Sequence, residues 1–294
     1  MKILVTGATG FVGREFVSKY QSIYDIYVLV RESSDISQLK QLVCTINNFS
    51  QYEDILEIFK KENFDGVVHF ASTIIIEHES DELENIIGSN ITYGTFLLES
   101  CKKTKVKWFI NTGTYWQNYQ NENYNPVNLY AATKEALEVI ARYYTETSDL
   151  VFSTIKLNDT FGLSDTRNKV FSLWNKIANT GETLNMSKGE QVIDISYIED
   201  IIYAYECMIS NLNSNNSKLY NNKAYCVKSN ERMSLKDLAK LFEGATGRTL
   251  NINWGGRPYR DRETMLPADN IALVPNWEQK YTLKEAIIKT IGVN

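Results

Sequence analysis

The chain has 294 residues, 43% of them hydrophobic and 23% charged, with a formal net charge of -5. That length builds one large domain or two interleaved ones around a sizeable core, and the composition is ordinary for a soluble globular protein. The densest basic stretch, Lys102-Lys103-Thr104-Lys105-Val106-Lys107, reads as a solvated helix end rather than a nucleic-acid patch. No apolar run approaches the roughly 18 residues of a bilayer span, and "MKILVTGATG" lacks the apolar core of a signal peptide. No nucleic-acid or membrane partner is expected, and a cytoplasmic location is. Cys44, Cys101, Cys207 and Cys226 have neither metal-ligand nor redox spacing, so free thiols and no metal site are expected.

Short apolar runs alternate with helical patterns through the first half. Strands are predicted over 3–5, 26–30, 66–71, 106–110 and 151–157, and helices over 11–20, 52–61, 90–103 and 129–146. Near-continuous apolar strands separated by helices imply a parallel sheet covered on both faces. Beyond about residue 160 the pattern loosens. A helix over 170–178, a strand over 191–197, a helix over 200–209 and a polar loop over 210–218 are expected. Ser234 N-caps a helix that ends before Gly247, and a last helix covers 283–291.

The strongest local signal is "TGATGFVG". Gly7, Gly10 and Gly13 directly follow the first strand and open the first helix. That context suits a dinucleotide, whose pyrophosphate needs a tight turn, close backbone approach and a helix N-terminus. About 20 residues on, an acidic residue would accept from the ribose 2′-hydroxyl of NAD. Arg31 occupies that place, with Ser33 and Ser34 beside it, and a guanidinium suits a 2′-phosphate. NADP(H) is therefore favoured. Glu32, an acidic residue displaced by one, keeps NAD(H) as the alternative. Tyr130 and Lys134, four residues apart, share one helix face. A fixed ammonium there favours the phenolate of a residue whose pKa is ordinarily about 10. The preceding strand runs into "NTGTYW", whose threonines either satisfy a turn or hold a substrate oxygen.

Together these stretches resemble the extended short-chain dehydrogenase/reductase family, also called the NAD-dependent epimerase/dehydratase family, over nearly the whole chain. "VTGATGFVG" resembles its cofactor turn, "VVHFAS" its fourth strand, and "NITYGTFLLESC" its Asn-x-x-x-Gly-Thr helix. "YAATK" resembles its catalytic pair, "KLNDTFG" a strand that usually reads Arg-x-x-x-x-Tyr-Gly, and "VPNWEQKYTLKEAI" its ending. The resemblance implies an α/β fold with a Rossmann-type doubly wound parallel sheet and a smaller, interleaved C-terminal substrate-binding domain. Residues 1–160, joined by 191–209, would bind the dinucleotide, and 161–294 mainly the substrate.

The resemblance also implies roles. Thr112, Tyr130 and Lys134 would be catalytic. The cofactor would meet Gly7, Thr9, Gly10, Phe11, Val12, Gly13, Arg31, Ser33, Ser34, Ala71, Ser72, Asn90, Tyr130, Lys134 and Leu157. Thr114, Asn158, Arg257 and Arg260 would meet the substrate, and Asn90 would support Lys134 through water. Family 4,6-dehydratases carry Thr-Asp-Glu where this chain has Thr112-Gly113-Thr114, so dehydration is not expected. Ile193 stands where an arginine commonly binds substrate phosphate, and Arg257, Arg260 and Arg262 are the replacements at hand. "NTGTYWQ" and "WGGRPYRDRE" are most similar to the CDP-abequose and CDP-paratose synthase type. The activity this implies is NADPH-dependent reduction of a nucleotide-diphosphate 4-keto-6-deoxysugar, a step in deoxysugar supply for surface polysaccharide such as lipopolysaccharide O-antigen. A 4-epimerase and a non-catalytic NADP-binding regulator are the other readings. A homodimer is expected through the 90–103 and 129–146 helices.

Overall fold

The computed structural model describes residues 1–292; residues 293–294, the end of the expected substrate-binding part, lie outside the described residues. The chain opens with β1 (Lys2–Thr6), α1 (Phe11–Tyr20), β2 (Asp25–Arg31), β3 (Thr45–Phe49), α2 (Tyr52–Glu62) and β4 (Gly66–His69). Then α3 (Leu83–Ile87) passes through a π-helical turn, Gly88–Thr92, into α4 (Tyr93–Thr104). Next come β5 (Trp108–Thr114), α5 (Leu129–Glu146), β6 (Val151–Leu157), β7 (Asp159–Phe161) and α6 (Val170–Thr180). They are followed by β8 (Leu184–Met186), β9 (Val192–Ile193), β10 (Ile195–Tyr197), α7 (Ile198–Leu212) and β11 (Lys223–Cys226). Finally β12 (Met233–Ser234), α8 (Leu235–Thr246), β13 (Ile252–Trp254) and α9 (Leu283–Ile291) complete the elements. No helix among the described residues is long and apolar enough to cross a membrane.

Seven strands form one parallel sheet in the order β11-β6-β5-β4-β1-β2-β3. Successive side chains of a strand point to opposite faces, and both faces are apolar. Val5, Val28, Val68 and Ile110 pack with Phe16 and Val17 of α1 and Ile201 and Tyr205 of α7. Leu4, Val67, Phe109 and Phe152 pack with Phe59 of α2, Leu97 of α4 and Leu137 of α5. Both faces are thus covered, as the parallel pattern requires. The second half adds α7 and the edge strand β11 to this sheet. It also forms three small pairs, β7 with β10, β8 with β13 and β9 with β12.

Several elements differ from those expected. Strand β3, sequence TINNF, offers too few apolar positions to show a period; it forms because β2 lends it a ladder at the sheet edge. Short β11 pairs with β6 in the same way. Strand β5 continues four residues past Ile110, because its ladder with β6 holds to Thr114 opposite Leu157. Thr112 and Thr114 therefore lie in a strand rather than a turn. The helix expected over 90–103 starts with the π turn and becomes α-helical at Tyr93. The loop expected over 210–218 is shortened by α7, which runs to Leu212. Ser234 caps α8 as anticipated, its Oγ accepting from Asp237 N–H at 3.1 Å, and Gly247 takes the left-handed C-cap with φ 68°.

Phe242 of α8 is fully buried and joins the second half together. Its ring stacks on Phe171 at 5.8 Å and meets the Trp174 ring edge-on at 5.7 Å, both on α6. Phe242→Ala is expected to destabilise the protein by about 3–5 kcal/mol, read as a lower urea midpoint; a loss below about 1 kcal/mol would mean that α6 and α8 are not held by this cluster.

Candidate active site

The winding of the sheet reverses between β1 and β4, and crevices form above the carboxyl ends of strands at such a point. Two turns meet there. Gly7 has φ 71°, and a Cβ on it would lie 2.4 Å from Ala71 N; a Cβ on Gly13 would lie 2.4 Å from Gly7 O. Only glycine permits both approaches. Gly10 caps α1 without a side-chain hydrogen bond, and the first turn of α1 has no acidic residue, so its N–H groups are directed at the crevice.

Three cavities run on from one another. The first, of about 420 Å³, is lined by Gly7, Thr9, Gly10, Arg31, Ser34, Ala71 and Ser72. The second, of about 260 Å³, shares Gly7, Gly10 and Ser72 with the first and adds Phe11, Val12, Gly13, Thr112, Thr114, Tyr130, Lys134, Leu157 and Asn158. The third, of about 820 Å³, shares Trp116 and Asn158 with the second and reaches Asp194, Arg257, Tyr259, Arg260 and Arg262. A side cavity of about 470 Å³ at the end of β2 brings Arg14, Arg31, Ser33, Ser34 and Ser37 together with Thr9. All the expected site residues line this crevice except Asn90, which lies behind it.

Tyr130 stands in the first turn of α5, whose N-cap Asn128 accepts from Ala131 N–H at 3.0 Å and donates to Ile76 O at 3.1 Å. Its ring meets Trp116 edge-on at 6.4 Å. Burial pushes its phenol up to about 12, while the Ser72 and Thr114 hydroxyls beside it pull the other way. Thr112 is engaged elsewhere: its Oγ1 is 2.7 Å from the Tyr205 hydroxyl of α7. Of the two threonines, Thr114 is the one whose hydroxyl acts on Tyr130.

Lys134, 1% exposed, has no hydrogen-bond partner for its Nζ. Burial pulls it down to about 8, and Glu138, one turn along α5, acts in the opposite sense. Buried His69 holds Thr6 Oγ1 at 2.7 Å through Nδ1; burial first, then the nearby Lys134 charge, keeps it neutral. Asn90 is saturated. Its Oδ1 accepts from Ser72 Oγ at 3.0 Å and Thr73 N–H at 2.8 Å, and its Nδ2 donates to Thr73 O and Thr133 Oγ1, each at 3.0 Å. The Asn90 side chain therefore sets Ser72 and α5 rather than reaching Lys134.

In the large cavity, Arg260 Nε is 3.7 Å from Glu77 Oε1, and Arg262 bonds Asn125 over the Tyr119 ring. Arg257 has no side-chain partner among the described residues. Near Ile193, the buried Asp194 carboxylate accepts from Arg232 Nε at 2.6 Å and Ser229 N–H at 3.1 Å. Arg232 also donates to Asp269 and to Ala268 O, so this guanidinium is committed. Sequence reasoning did not single out Arg14, Gln117, Tyr205 or Arg232. Arg14 alone carried a signal, its place directly after Gly13.

The residues present fit a dinucleotide. The glycine cradle admits a pyrophosphate, and the orphaned Lys134 ammonium lacks only an acceptor, which a ribose hydroxyl provides.

Comparison with known proteins agrees. Residues 3–221 match the model of the NAD dependent epimerase/dehydratase family. Among curated proteins the chain is 25% identical to a CDP-abequose synthase of Yersinia pseudotuberculosis, over 91% of this chain and 92% of that protein. It is also 25% identical to a CDP-abequose synthase of Salmonella muenchen, over 99% and 97%. Among solved structures it is similar to a UDP-glucose 4-epimerase of Thermotoga maritima, with a TM-score of 0.85, 22% identity and coverage of 99% and 97%. A UDP-glucuronic acid 4-epimerase of Bacillus cereus, solved with NAD, gives a TM-score of 0.84 at 18% identity over 99% and 98%. The α/β sheet with its glycine-lined switch point and Tyr130–Lys134 helix thus places the chain in the NAD dependent epimerase/dehydratase family.

Proposed function

We propose that the protein reduces the 4-keto group of a nucleotide-diphosphate 4-keto-6-deoxysugar with NADPH. The observation that carries this reading is the lining of the middle cavity. Around Tyr130 stand the hydroxyls of Ser72, Thr112 and Thr114 and the Lys134 ammonium, while the one carboxylate there, Asp159, is held by Lys169 at 3.3 Å. Such a site can donate a proton to an alkoxide, but it lacks the free acid and base that eliminating water across a sugar ring requires. The relatives named CDP-abequose synthase support the nucleotide-sugar class.

The cofactor, when bound, supplies a hydride to C4 of the sugar. Tyr130 gives its phenolic proton to the oxygen that becomes the hydroxyl. Thr114 and Ser72 hydrogen-bond the phenol and orient that proton, and Thr114 takes the alkoxide-facing place expected of Thr112, which Tyr205 already engages. Lys134 supplies fixed positive charge and holds the cofactor ribose. Asn158 lies in both the middle and the large cavity, its buried amide beside the Asp194 carboxylate. It is the donor placed to bond the sugar between Tyr130 and the nucleotide. Arg257, without a competing partner, anchors the diphosphate, with Arg260 beside it. Arg31, Arg14 and the three serines of the side cavity support a 2′-phosphate, whereas Glu32 lines none of these cavities. The protein is proposed to act in the cytoplasm as a homodimer.

The decisive test incubates the protein with a 4-keto-6-deoxy nucleotide sugar and NADPH, with NMR identification of the sugar. One NADPH consumed per sugar reduced is expected. C4 epimers formed from a saturated nucleotide hexose without added cofactor would replace this reading with the 4-epimerase one. Tyr130→Phe is expected to bind NADPH normally and to lower kcat by about 10²–10⁴; retention of half the activity would remove Tyr130 as donor. Arg31→Asp should turn the ratio of kcat/KM for NADPH over NADH from above to below one, since a carboxylate repels the phosphate and accepts from a free 2′-hydroxyl. A wild type indifferent between the two cofactors would contradict it.

A further inference from the structure

Gln117 lies just past β5 and is fully buried. Its Oε1 accepts from Thr114 N–H at 2.9 Å, and its Nε2 donates to Glu135 Oε2 at 2.6 Å and to Glu138 Oε1 at 2.8 Å. One amide thus ties the strand end carrying Thr114 to the helix carrying Tyr130 and Lys134. Gly113 makes room for it: a Cβ there would lie 2.8 Å from Gln117 Oε1.

The two carboxylates are not equivalent. Lys156 of β6 comes within 3.9 Å of Glu135 and donates to Asn118 Oδ1 at 2.9 Å. Glu138 is four residues beyond Lys134, on the same face of α5. The charged or titratable groups facing Lys134 are Glu138 and Tyr130 of its own helix and His69 of β4, which is neutral. Those facing Glu138 are Lys134, Glu135 and Lys156. A second carboxylate this close disfavours the ionisation of Glu138, and a donated hydrogen bond favours it. Burial and Glu135 push Glu138 towards its neutral form, and Lys156 and the Gln117 amide oppose that.

We propose that Gln117 is a positioning residue for the reduction. It keeps the Glu138 carboxylate ionised one turn from the Lys134 ammonium, and through the Thr114 N–H it fixes the hydroxyl that faces Tyr130. This rests on the reductase reading, so one readout must be independent of turnover. The Lys134 Cε resonance of ¹³C-lysine protein, assigned by its loss in Lys134→Arg, reports the lysine titration directly. Gln117→Met and Gln117→Leu, either of which suffices if the other does not fold, remove both donors at similar volume. Glu138→Gln removes the charge. Less negative charge beside an ammonium disfavours its charged form, so in each of these the midpoint should fall by on the order of one pH unit. The alkaline limb of kcat for NADPH oxidation should fall with it. Glu135→Gln should leave the midpoint where it is or raise it. An unchanged midpoint in the folded Gln117 variants or in Glu138→Gln, or an equal fall in Glu135→Gln, would overturn the proposal. Failure of the reductase reading would show separately, as a wild type that oxidises no NADPH while its Lys134 still titrates.

Discussion

The site depends on one steric constraint, the contact of two backbone turns above the sheet. Gly7 lies against Phe70 and Ala71 so closely that any side chain would drive the two turns apart. That contact sets how far β1 and β4 separate at the switch point, and hence the width of the crevice. It also fixes the start of α1, because Gly13 is pressed onto the Gly7 carbonyl. Ser72, two residues past Phe70, inherits its position from the same contact. A pocket whose walls are main chain is stiff, and stiffness is what holding a bound molecule in one orientation demands.

Around this frame α5, the helix of Tyr130 and Lys134, is held by buried amides rather than by packing alone. Asn90, in the π turn, joins the 72–73 turn to Thr133, and Gln117 joins the end of β5 to Glu135 and Glu138. Each amide uses donors and acceptor together, so neither leaves an unsatisfied group in the low-dielectric interior. The wider extra turn of the π segment turns Asn90 inward at a place where the helical pattern of the sequence gives no warning.

Much of this was legible in the sequence. The glycine turn, the alternation of apolar strands with amphipathic helices, and Tyr130 with Lys134 are local patterns, and local patterns survive without tertiary knowledge. What stayed hidden depends on partners far along the chain. Strands β3 and β11 exist because a neighbour offers a ladder. Tyr205 meets Thr112 across 93 residues, and it is the Thr114 hydroxyl that acts on Tyr130. Arg232 reaches Asp194 from 38 residues away and is spent on an ion pair, although its charge lies close to Ile193, where the family resemblance led an arginine to be expected. Gln117 was not singled out because nothing in its own neighbourhood reveals that two glutamates of another element converge on it.

The unpartnered Lys134 has a consequence for folding itself. A lysine in an unfolded chain titrates near 10.4, and burial brings this one to about 8. Between those values the unfolded chain holds one more proton at this position than the native protein does. By linkage, this residue makes the native state gain stability as the pH climbs from about 8 towards 10.4. Below that window it is a burden on the fold, carried in the absence of any bound acceptor. That burden is one that an acceptor such as a ribose hydroxyl, seated against Nζ, would lift.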